Sequence, residues 1–377
     1  MWDKVGDLVF ARSVNRTEPA PRDLAPPVGP RNQRSAPPSP VLSRYRALAT
    51  HCIVELNDPS PIGVKRMQRA VRLPALTKAA AHHGMERETM MTKNVLITGA
   101  GSGMGLATAL HLAGSGYRVF AGVRGSEADL TAAADARGVE LTTVRLDVQN
   151  AESVRAAVAE VMAAAGRIDV LVNNAGFGLL ATVEDGTDEE MIRQFDVNVF
   201  GLLRVTREVL PHMRQAGSGV IINISSFLGR MGLPLLTHYN ASKYAVEGIT
   251  DSLRLEVAPF GIRVHSILAG LFGTNFVKKG LVANAQTTAE DSPYRELVSH
   301  FVPIVAAAIN EGPAPQPIAD AVKAIIENED SDIAVMVGTE AETFVPLRRS
   351  MDDKEFEQHV ITTFGLPHAK GQKAGGS

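Results

Sequence analysis

Three side chains that can exchange a proton lie close together in the middle of the chain. Ser226 follows a short apolar run, and Tyr239 and Lys243 stand four positions apart in a segment whose pattern predicts a helix. Residues four apart share a helix face, so a hydroxyl, a phenol and an ammonium can converge. An ammonium beside a phenol lowers the phenol's pKa from about 10, which suits proton transfer to or from a substrate oxygen near neutral pH. The serine hydroxyl can hydrogen-bond the same oxygen as it gains charge.

The same pair has a plain structural interpretation. A tyrosine followed four residues later by a lysine is common on amphipathic helices, where a half-buried phenol lies beside a lysine that reaches for solvent. The upstream Ser226 favours the chemical interpretation. The rest of the chain must decide between the two.

Composition excludes several classes of protein. The chain has 377 residues, a net charge of −3 and 45% hydrophobic residues, which is typical of a globular protein without bulk affinity for nucleic acid or anionic membranes. Cys52 is the only cysteine, so neither an internal disulfide nor a cysteine-based zinc site can form, and no metal site is predicted. No apolar run approaches the length of a membrane span.

From Asn94 onward, short apolar runs alternate with helical segments. Strands are predicted at 95–97, 117–122, 139–146, 168–172, 220–224, 262–268 and 333–337. Helices are predicted after the glycine-rich stretch that follows the first strand and at 127–137, 150–165, 188–215 with a bend at Gly201, 239–258 and 318–328. This alternation predicts an α/β fold, a Rossmann-like doubly wound parallel sheet of about seven strands with helices on both faces.

The remainder of the chain is divided by composition. Residues 1–90 hold 11 of the 21 prolines and predict a disordered Pro/Arg-rich extension, which we interpret as an inert tail or a gene-start artefact rather than a targeting segment. The catalytic domain is predicted at 91–345. Within it, 271–316 has weak periodicity and four prolines, and is interpreted as a mobile lid. Residues 346–377 are expected to form a C-terminal segment with a flexible end, and the protein is expected to be cytoplasmic.

A glycine-rich turn joins the first strand to its helix. It reads T-G-x-x-x-G-x-G, with Thr98, Gly99, Gly103 and Gly105 at the fixed positions. Such a turn presents backbone amides and the positive end of a helix to a pyrophosphate. The spacing differs from G-x-G-x-x-G, and no G-K-[ST] follows that would indicate a P-loop. A plain tight turn is the alternative, which four glycines in this short stretch disfavour.

Together these motifs resemble the short-chain dehydrogenase/reductase family, over residues 94 to about 340. The matching residues are Thr98 to Gly105, Asp147 after the third strand, Asn173-Asn174-Ala175-Gly176 after the fourth, and Asn198, Ser226, Tyr239 and Lys243. They occur in the family's order, with its usual spacing of 13 between serine and tyrosine. One departure is Ala269-Gly270 where the family often has Pro-Gly, although Thr274 follows at the family's spacing.

The resemblance implies a role for each matched residue. Tyr239 would be the general acid or base, Lys243 would lower its pKa and bind the nicotinamide ribose, Ser226 would hold the substrate oxygen, and Asn198 would position a water in a proton relay. For Asn198 the alternative is a polar residue that only bends or packs the helix. The implied cofactor contacts are Gly99, Ser102, Gly103, Met104, Gly105, Arg124, Asp147, Val148, Asn174, Ala175, Gly176, Tyr239, Lys243, Gly270 and Thr274. A homodimer or homotetramer, formed through the helices around Asn198 and Tyr244, is also implied.

The end of the second strand bears on the choice of nicotinamide. An acidic side chain there selects NAD through the ribose 2′-OH, whereas arginine suits the 2′-phosphate of NADP. Here Val123 stands where NAD-preferring members of the family usually carry Asp, and Arg124 follows it. NADP is therefore favoured, with Ser102 as a further donor; the alternative is that Arg124 is a solvated loop charge, and NAD remains possible.

The predicted substrate is hydrophobic. Candidate pocket residues are Phe177, Leu179, Phe227, Leu228, Met231, Leu233, Leu236, Leu271, Phe272 and Phe276. Such a lining suits an apolar ketone or secondary alcohol, and the run from Ser226 to Pro234 is similar to that of hydroxysteroid and retinol dehydrogenases. The sequence thus predicts an NADP(H)-dependent oxidoreductase for a steroid-, retinoid- or lipid-like carbonyl. The alternatives are a non-catalytic dinucleotide sensor or scaffold on the same fold, and an interaction protein working through its tail.

Overall fold

A computed structural model of the protein describes residues 92–125, 127–274, 276 and 280–367. The extension at 1–90, which is predicted to be disordered, lies outside these residues, as do the last ten residues of the C-terminal segment, whose end is predicted to be flexible. None of the described helices is both long and apolar enough to cross a bilayer.

The architecture is a seven-stranded sheet in which every pair of neighbouring strands is parallel. Its strands are β1 (Asn94–Thr98), β2 (Arg118–Val123), β3 (Thr142–Arg145), β4 (Val170–Asn173), β6 (Gly219–Ile224), β7 (Ile262–Ala269) and β9 (Ala334–Val337), in the order β3-β2-β1-β4-β6-β7-β9. Two further strands, β5 (Gly178–Leu180) and β8 (Leu281–Ala283), pair with each other apart from this sheet. The predicted doubly wound sheet of seven strands is confirmed, because parallel strands buried on both faces require the near-continuous apolar runs seen in the sequence.

Helices cover both faces of the sheet. Their bounds are α1 (Gly103–Gly114), α2 (Ala128–Arg137), α3 (Ala151–Ala165), α4 (Asp188–Phe195), α5 (Leu202–Ala216), α6 (Thr237–Val257), α7 (Arg295–Asn310), α8 (Gln316–Glu327), α9 (Thr339–Ser350) and α10 (Asp353–Phe364). One core cluster packs α1, α2 and α8 on the sheet, and the other packs α3, α5 and α6 on its opposite face. Asn150 caps α3 as predicted, because its side chain accepts from the amides of Glu152 and Ser153.

A π-helix, Asp196–Gly201, joins α4 to α5 and replaces the simple bend expected at Gly201. A side chain at Gly201 would collide with Val148, whose Cγ2 lies 2.7 Å from an ideal Cβ, so the helix passes the end of the sheet closely there. Helical bulges of this kind often mark functional sites, and this one carries Asn198.

A third apolar cluster lies beyond the carboxyl ends of the central strands. It packs the turn at 227–229 and the residues before α6 against α7, α9 and α10. The sequence analysis predicts none of β5, β8, α7, α9 or α10. The segment 271–316 therefore contains a strand and a helix of 16 residues where only weak periodicity was recognised.

Candidate active site

The cofactor turn and the end of β4 are joined through one hydroxyl. Thr98 Oγ1 accepts hydrogen bonds of 3.0 Å from the backbone amides of both Asn174 and Ala175. The Asn174 side chain returns two bonds, from Nδ2 to the carbonyls of Thr98 at 2.9 Å and of Gly99 at 3.0 Å. Strands β1 and β4 are neighbours whose following helices lie on opposite faces, and ligands of doubly wound sheets bind at this switch point.

Two glycines allow the turn to approach its neighbours. Gly99 has φ +67°, and a Cβ there would lie 2.9 Å from Ala175 Cα. A Cβ at Gly105 would collide with the Asn174 side chain and the Gly99 carbonyl, so α1 can pack against the turn only because this position has no side chain. Gly105 does not line the cavity, and its position serves packing, while its predicted cofactor contact stays a prediction.

The turn leads into the N-terminus of α1, where backbone amides can bind an anion. Ser102 is the N-cap of α1, and within the described residues its side chain makes no capping hydrogen bond. Thr274 lies across the turn, 3.6 Å from an ideal Cβ at Gly103. At the end of β2, Val123 is buried and Arg124 is exposed beside the same cavity. The pyrophosphate of a dinucleotide fits this set of donors.

The side chains that are predicted to transfer the proton come from two adjoining elements. Ser226 ends the loop after β6, begins the 3₁₀ turn at 227–229, and accepts from the Leu228 amide at 3.2 Å. Tyr239 and Lys243 lie on the inner side of α6. The Lys243 ammonium lies 5.7 Å from the centre of the Tyr239 ring and donates to the Ile224 carbonyl at 2.9 Å. The structure thus brings together the serine, phenol and ammonium that the spacing predicts to converge.

The ionisation of this set differs from the expectation. Burial raises the pKa of Tyr239 to about 12, opposed by a hydrogen bond with Ser226, so the phenol is protonated at neutral pH. Burial also lowers the pKa of Lys243 to about 8, opposed by the negative charge of Glu247. In the protein without a bound cofactor the net effect of the fold is thus to raise the pKa of the phenol, and the lowering of this pKa by Lys243 stays a prediction. Removal from water disfavours the charged form of the phenol.

Asn198 contacts the protein backbone rather than the cavity. Its Oδ1 accepts from the Phe177 amide at 3.0 Å, and its Nδ2 donates to the Phe177 carbonyl at 2.9 Å and to Ser242 Oγ at 3.0 Å. Both side-chain donors are thus used within the protein. Asn198 fixes the start of β5 beside Ala175 and Gly176, and its side chain does not line the cavity.

One cavity of about 700 Å³ contains most of the predicted site. Its walls include every predicted cofactor residue except Gly105, and Ser226, Tyr239 and Lys243. Of the predicted apolar residues, Phe177, Phe227, Leu228, Leu233, Leu236, Leu271, Phe272 and Phe276 line it. Leu179 and Met231 do not: both are buried in the protein interior. Leu179 points away because side chains alternate along β5, where Gly178 and Leu180 face the cavity.

The far wall of the cavity was missed by the sequence analysis. It is built from α7, α9 and α10, with Phe301, Val302, Ile304, Val305, Ala308, Ile309, Glu340, Phe344, Thr363 and Phe364 among its residues. The rings of Phe344 and Phe364 stack with centres 5.6 Å apart, and Phe301 meets Phe364 edge-on at 5.9 Å. The available signal was the apolar spacing of Phe301, Val305 and Ile309 within one helix, which Pro303 obscured.

Comparison with known proteins decides the family. A sequence profile described as short chain dehydrogenase matches residues 93–283. The chain belongs to the short-chain dehydrogenase/reductase family. It is an enzyme of the dehydrogenase/reductase class, as the names of its relatives also indicate.

Individual relatives of this family cover most of the chain. A 3-ketodihydrosphingosine reductase of Bacteroides thetaiotaomicron is 33% identical over 275 residues, which are 73% of this chain and 98% of that protein. The crystal structure of a short-chain dehydrogenase from Streptomyces avermitilis matches with a TM-score of 0.63 and 32% identity, over 74% of this chain and all of the other. A 3-ketoacyl-(acyl-carrier-protein) reductase from Brucella melitensis, complexed with NADH, matches with a TM-score of 0.54 and 29% identity, over 65% and 96%.

Proposed function

We propose that the protein is an NADP(H)-dependent oxidoreductase that interconverts an apolar ketone and its secondary alcohol, with Tyr239 as the general acid or base. The supporting observation is the continuity of a single cavity. It runs from the glycine turn, past Ser226, Tyr239 and Lys243, to a wall of aromatic and aliphatic side chains. Dinucleotide, proton donor and apolar substrate can therefore occupy one space.

The proposed mechanism assigns one task to each side chain. A bound nicotinamide dinucleotide would supply or accept the hydride. In the reductive direction the protonated phenol of Tyr239 gives its proton to the carbonyl oxygen, and the Ser226 hydroxyl donates a hydrogen bond to the same oxygen as negative charge grows on it. Lys243, held beside the ring, stabilises the tyrosinate that remains. The reverse direction uses the same groups in the opposite order.

The proposed substrate has an extended apolar part. The chamber beyond Tyr239 is closed by Phe227, Phe301, Phe344 and Phe364, and the ring centres of Phe227 and Phe344 are 6.2 Å apart. Stacked rings with little polar surface suit alkyl or fused-ring groups. Two relatives are named as reductases of 3-keto compounds, 3-ketodihydrosphingosine and 3-ketoacyl-(acyl-carrier-protein). We therefore favour a lipid-like 3-keto substrate over a steroid or retinoid, with the segment 271–316 as its lid.

The proposed cofactor preference rests on the end of β2. Val123 is buried and gives no carboxylate to a ribose 2′-OH, while the exposed Arg124 guanidinium can meet a 2′-phosphate together with the uncapped Ser102 hydroxyl. NADP is the cofactor that this arrangement favours.

We also propose a homodimer or homotetramer. An apolar groove of about 690 Å³ runs between α5 and α6. Leu203 and Phe260 line this groove and are exposed. A second copy covering the groove would remove them from water. Light scattering on the purified chain tests this, and a monomer at micromolar concentration would contradict it. The cytoplasmic location stays a prediction.

Turnover measurements test the proposed function. NADPH and NADH oxidation should be followed against a series of 3-keto acyl thioesters, 3-ketodihydrosphingosine, steroid ketones and retinal. We expect turnover with NADPH and at least one lipid-like 3-keto compound. Absence of turnover with every carbonyl, and with the matching alcohols and NADP, would contradict the proposal. The same series with lysozyme in place of the protein controls for chemical oxidation.

A further inference from the structure

An ion pair between Arg230 and the buried carboxylate of Glu247 lies one helical turn beyond Lys243. The Glu247 side chain is only 4% exposed, and its Oε2 accepts from Arg230 Nη2 at 2.7 Å, Arg230 Nε at 3.1 Å and Ser266 Oγ at 3.2 Å. Its Oε1 is buried and has no hydrogen-bond partner among the described residues. Burying a carboxylate costs free energy, and a buried ion pair often contributes little to the stability of a protein. Stability alone therefore does not explain Glu247, and we ask what its carboxylate does for the neighbouring catalytic residues.

The carboxylate connects the elements that carry the catalytic side chains. Glu247 follows Lys243 by four residues on α6 and so shares its helix face. Arg230 ends the 3₁₀ turn that Ser226 begins, and Ser266 belongs to β7. The junction is tight, since a Cβ on Gly229 would lie 3.0 Å from both Glu247 Cγ and the Lys243 carbonyl. The turn of Ser226 and the helix of Tyr239 thus meet at this pair.

We propose that Arg230 and Glu247 form a positioning pair for the catalytic set: Arg230 fixes the Glu247 carboxylate, which holds the Ser226 turn against α6 and serves as the counter-charge of Lys243. This inference rests on the proposed function, because it assigns the pair to the reaction that Tyr239 and Lys243 carry out. Neither side chain lines the cavity, so both act through the residues they hold.

The charges around Lys243 support this assignment. The titratable neighbours of Lys243 on α6 are Tyr239, which is neutral at pH 7, and Glu247. The loop after β6 contributes Arg230, and β7 contributes Ser266, which carries no charge. Across the cavity, Glu340 of α9 is engaged with the Leu271 amide at 2.8 Å. Burial lowers the pKa of Lys243 to about 8, and Glu247 is the carboxylate that opposes this. Without that charge, the ammonium would lose its proton at a lower pH.

The test replaces the carboxylate by its neutral isostere. In Glu247→Gln, the side chain can still accept from Arg230 and Ser266, but the counter-charge is gone. The ionisation of Lys243 is read from the ¹³Cε shift of the full chain labelled with [ε-¹³C]lysine, and Lys243→Met assigns the signal. We expect the midpoint of the Lys243 titration to fall by roughly one pH unit. The loss of kcat/KM at alkaline pH should begin at a correspondingly lower pH. Glu256→Gln, which removes an exposed carboxylate from the same helix, should move neither.

A second variant separates charge from packing. Arg230→Gln removes a cation from the same junction, so the Lys243 midpoint should rise, opposite to the effect of Glu247→Gln. The Arg230 side chain is 30% exposed, so this variant can carry the test if Glu247→Gln does not fold. The proposal would be overturned if the midpoint of the Lys243 titration stayed unchanged in Glu247→Gln, or if it fell in both Glu247→Gln and Arg230→Gln. The NMR titration needs no turnover, so an inactive protein would contradict the proposed function while leaving this inference to be decided separately.

Discussion

The ammonium of Lys243 lies 2.9 Å from the carbonyl oxygen of Ile224, the last residue of β6. This hydrogen bond ties α6 to the strand that leads to Ser226, so the lysine and the serine are positioned by one strand end. It also keeps the ammonium in a buried site, where the ammonium loses its proton at a lower pH than it does in water.

The first prediction concerns pH. Because burial lowers the pKa of Lys243 to about 8, activity that needs the ammonium should fall as pH rises through about 8. Tyr239, with its pKa raised to about 12, stays protonated across this range and cannot cause the limb. The profile of kcat/KM for ketone reduction between pH 6 and 10 measures this. A flat profile up to pH 10 would contradict the assignment.

The second prediction concerns Asn198. Asn198→Ala removes three hydrogen bonds, two of which hold the Phe177 backbone at the start of β5. We expect the free energy of unfolding to fall by about 1–3 kcal/mol, because buried backbone groups lose their hydrogen-bond partners. We expect kcat/KM to fall as well. The control is Asn150→Ala, which loses the cap of α3 at a cost of about 1 kcal/mol and should leave activity unchanged. Equal activity in the two variants would show that Asn198 is purely structural.

The third prediction concerns cofactor choice. Val123→Asp places a carboxylate at the end of β2, where it can accept from a ribose 2′-OH and repel a 2′-phosphate. The ratio of kcat/KM for NADPH to that for NADH should fall at least tenfold. The matched change Val139→Asp, which adds the same charge away from the cavity, should leave the ratio unchanged. A constant ratio in Val123→Asp would mean that the ribose does not bind beside this strand.

The fourth prediction concerns the aromatic wall. Phe364 lies between Phe301 and Phe344, so Phe364→Ala should lengthen the chamber and shift the preference toward longer acyl chains. The measurement is kcat/KM across 3-keto acyl thioesters of increasing length. Phe356→Ala, a buried change on the same helix that does not line the cavity, should lower stability and keep the length preference. An unchanged optimum in Phe364→Ala would place the substrate elsewhere.

The sheet and the convergence of Ser226, Tyr239 and Lys243 were predictable because both follow from local spacing. A buried parallel strand must be a short apolar run, and residues four apart on a helix must share a face. The glycine turn was also predictable from the sequence, because Gly99 adopts φ +67° and few other residues tolerate that conformation.

What escaped prediction depends on contacts between distant segments. Helix α7 contains Pro303, which removes a backbone donor and indicates a loop when taken alone. Burial of Phe301 in the third cluster, with Val302 and Val305 packed against it, nevertheless stabilises the helix. The direction of Leu179 depends on the pairing of β5 with β8, some hundred residues later. The pKa of Tyr239 depends on how completely the fold encloses it, which spacing does not reveal.

The most direct test of the central claim is the activity of Tyr239→Phe. The substitution keeps the ring and its contact with Phe276, 6.2 Å away between ring centres, but removes the proton that the mechanism transfers. The control is Tyr244→Phe, which alters an exposed phenol on the same helix. We predict that Tyr239→Phe binds NADPH as the unaltered protein does, by fluorescence titration, and reduces ketones at least a thousandfold more slowly. Tyr244→Phe should remain active. Retention of more than a few per cent of the activity by Tyr239→Phe would contradict the proposed mechanism.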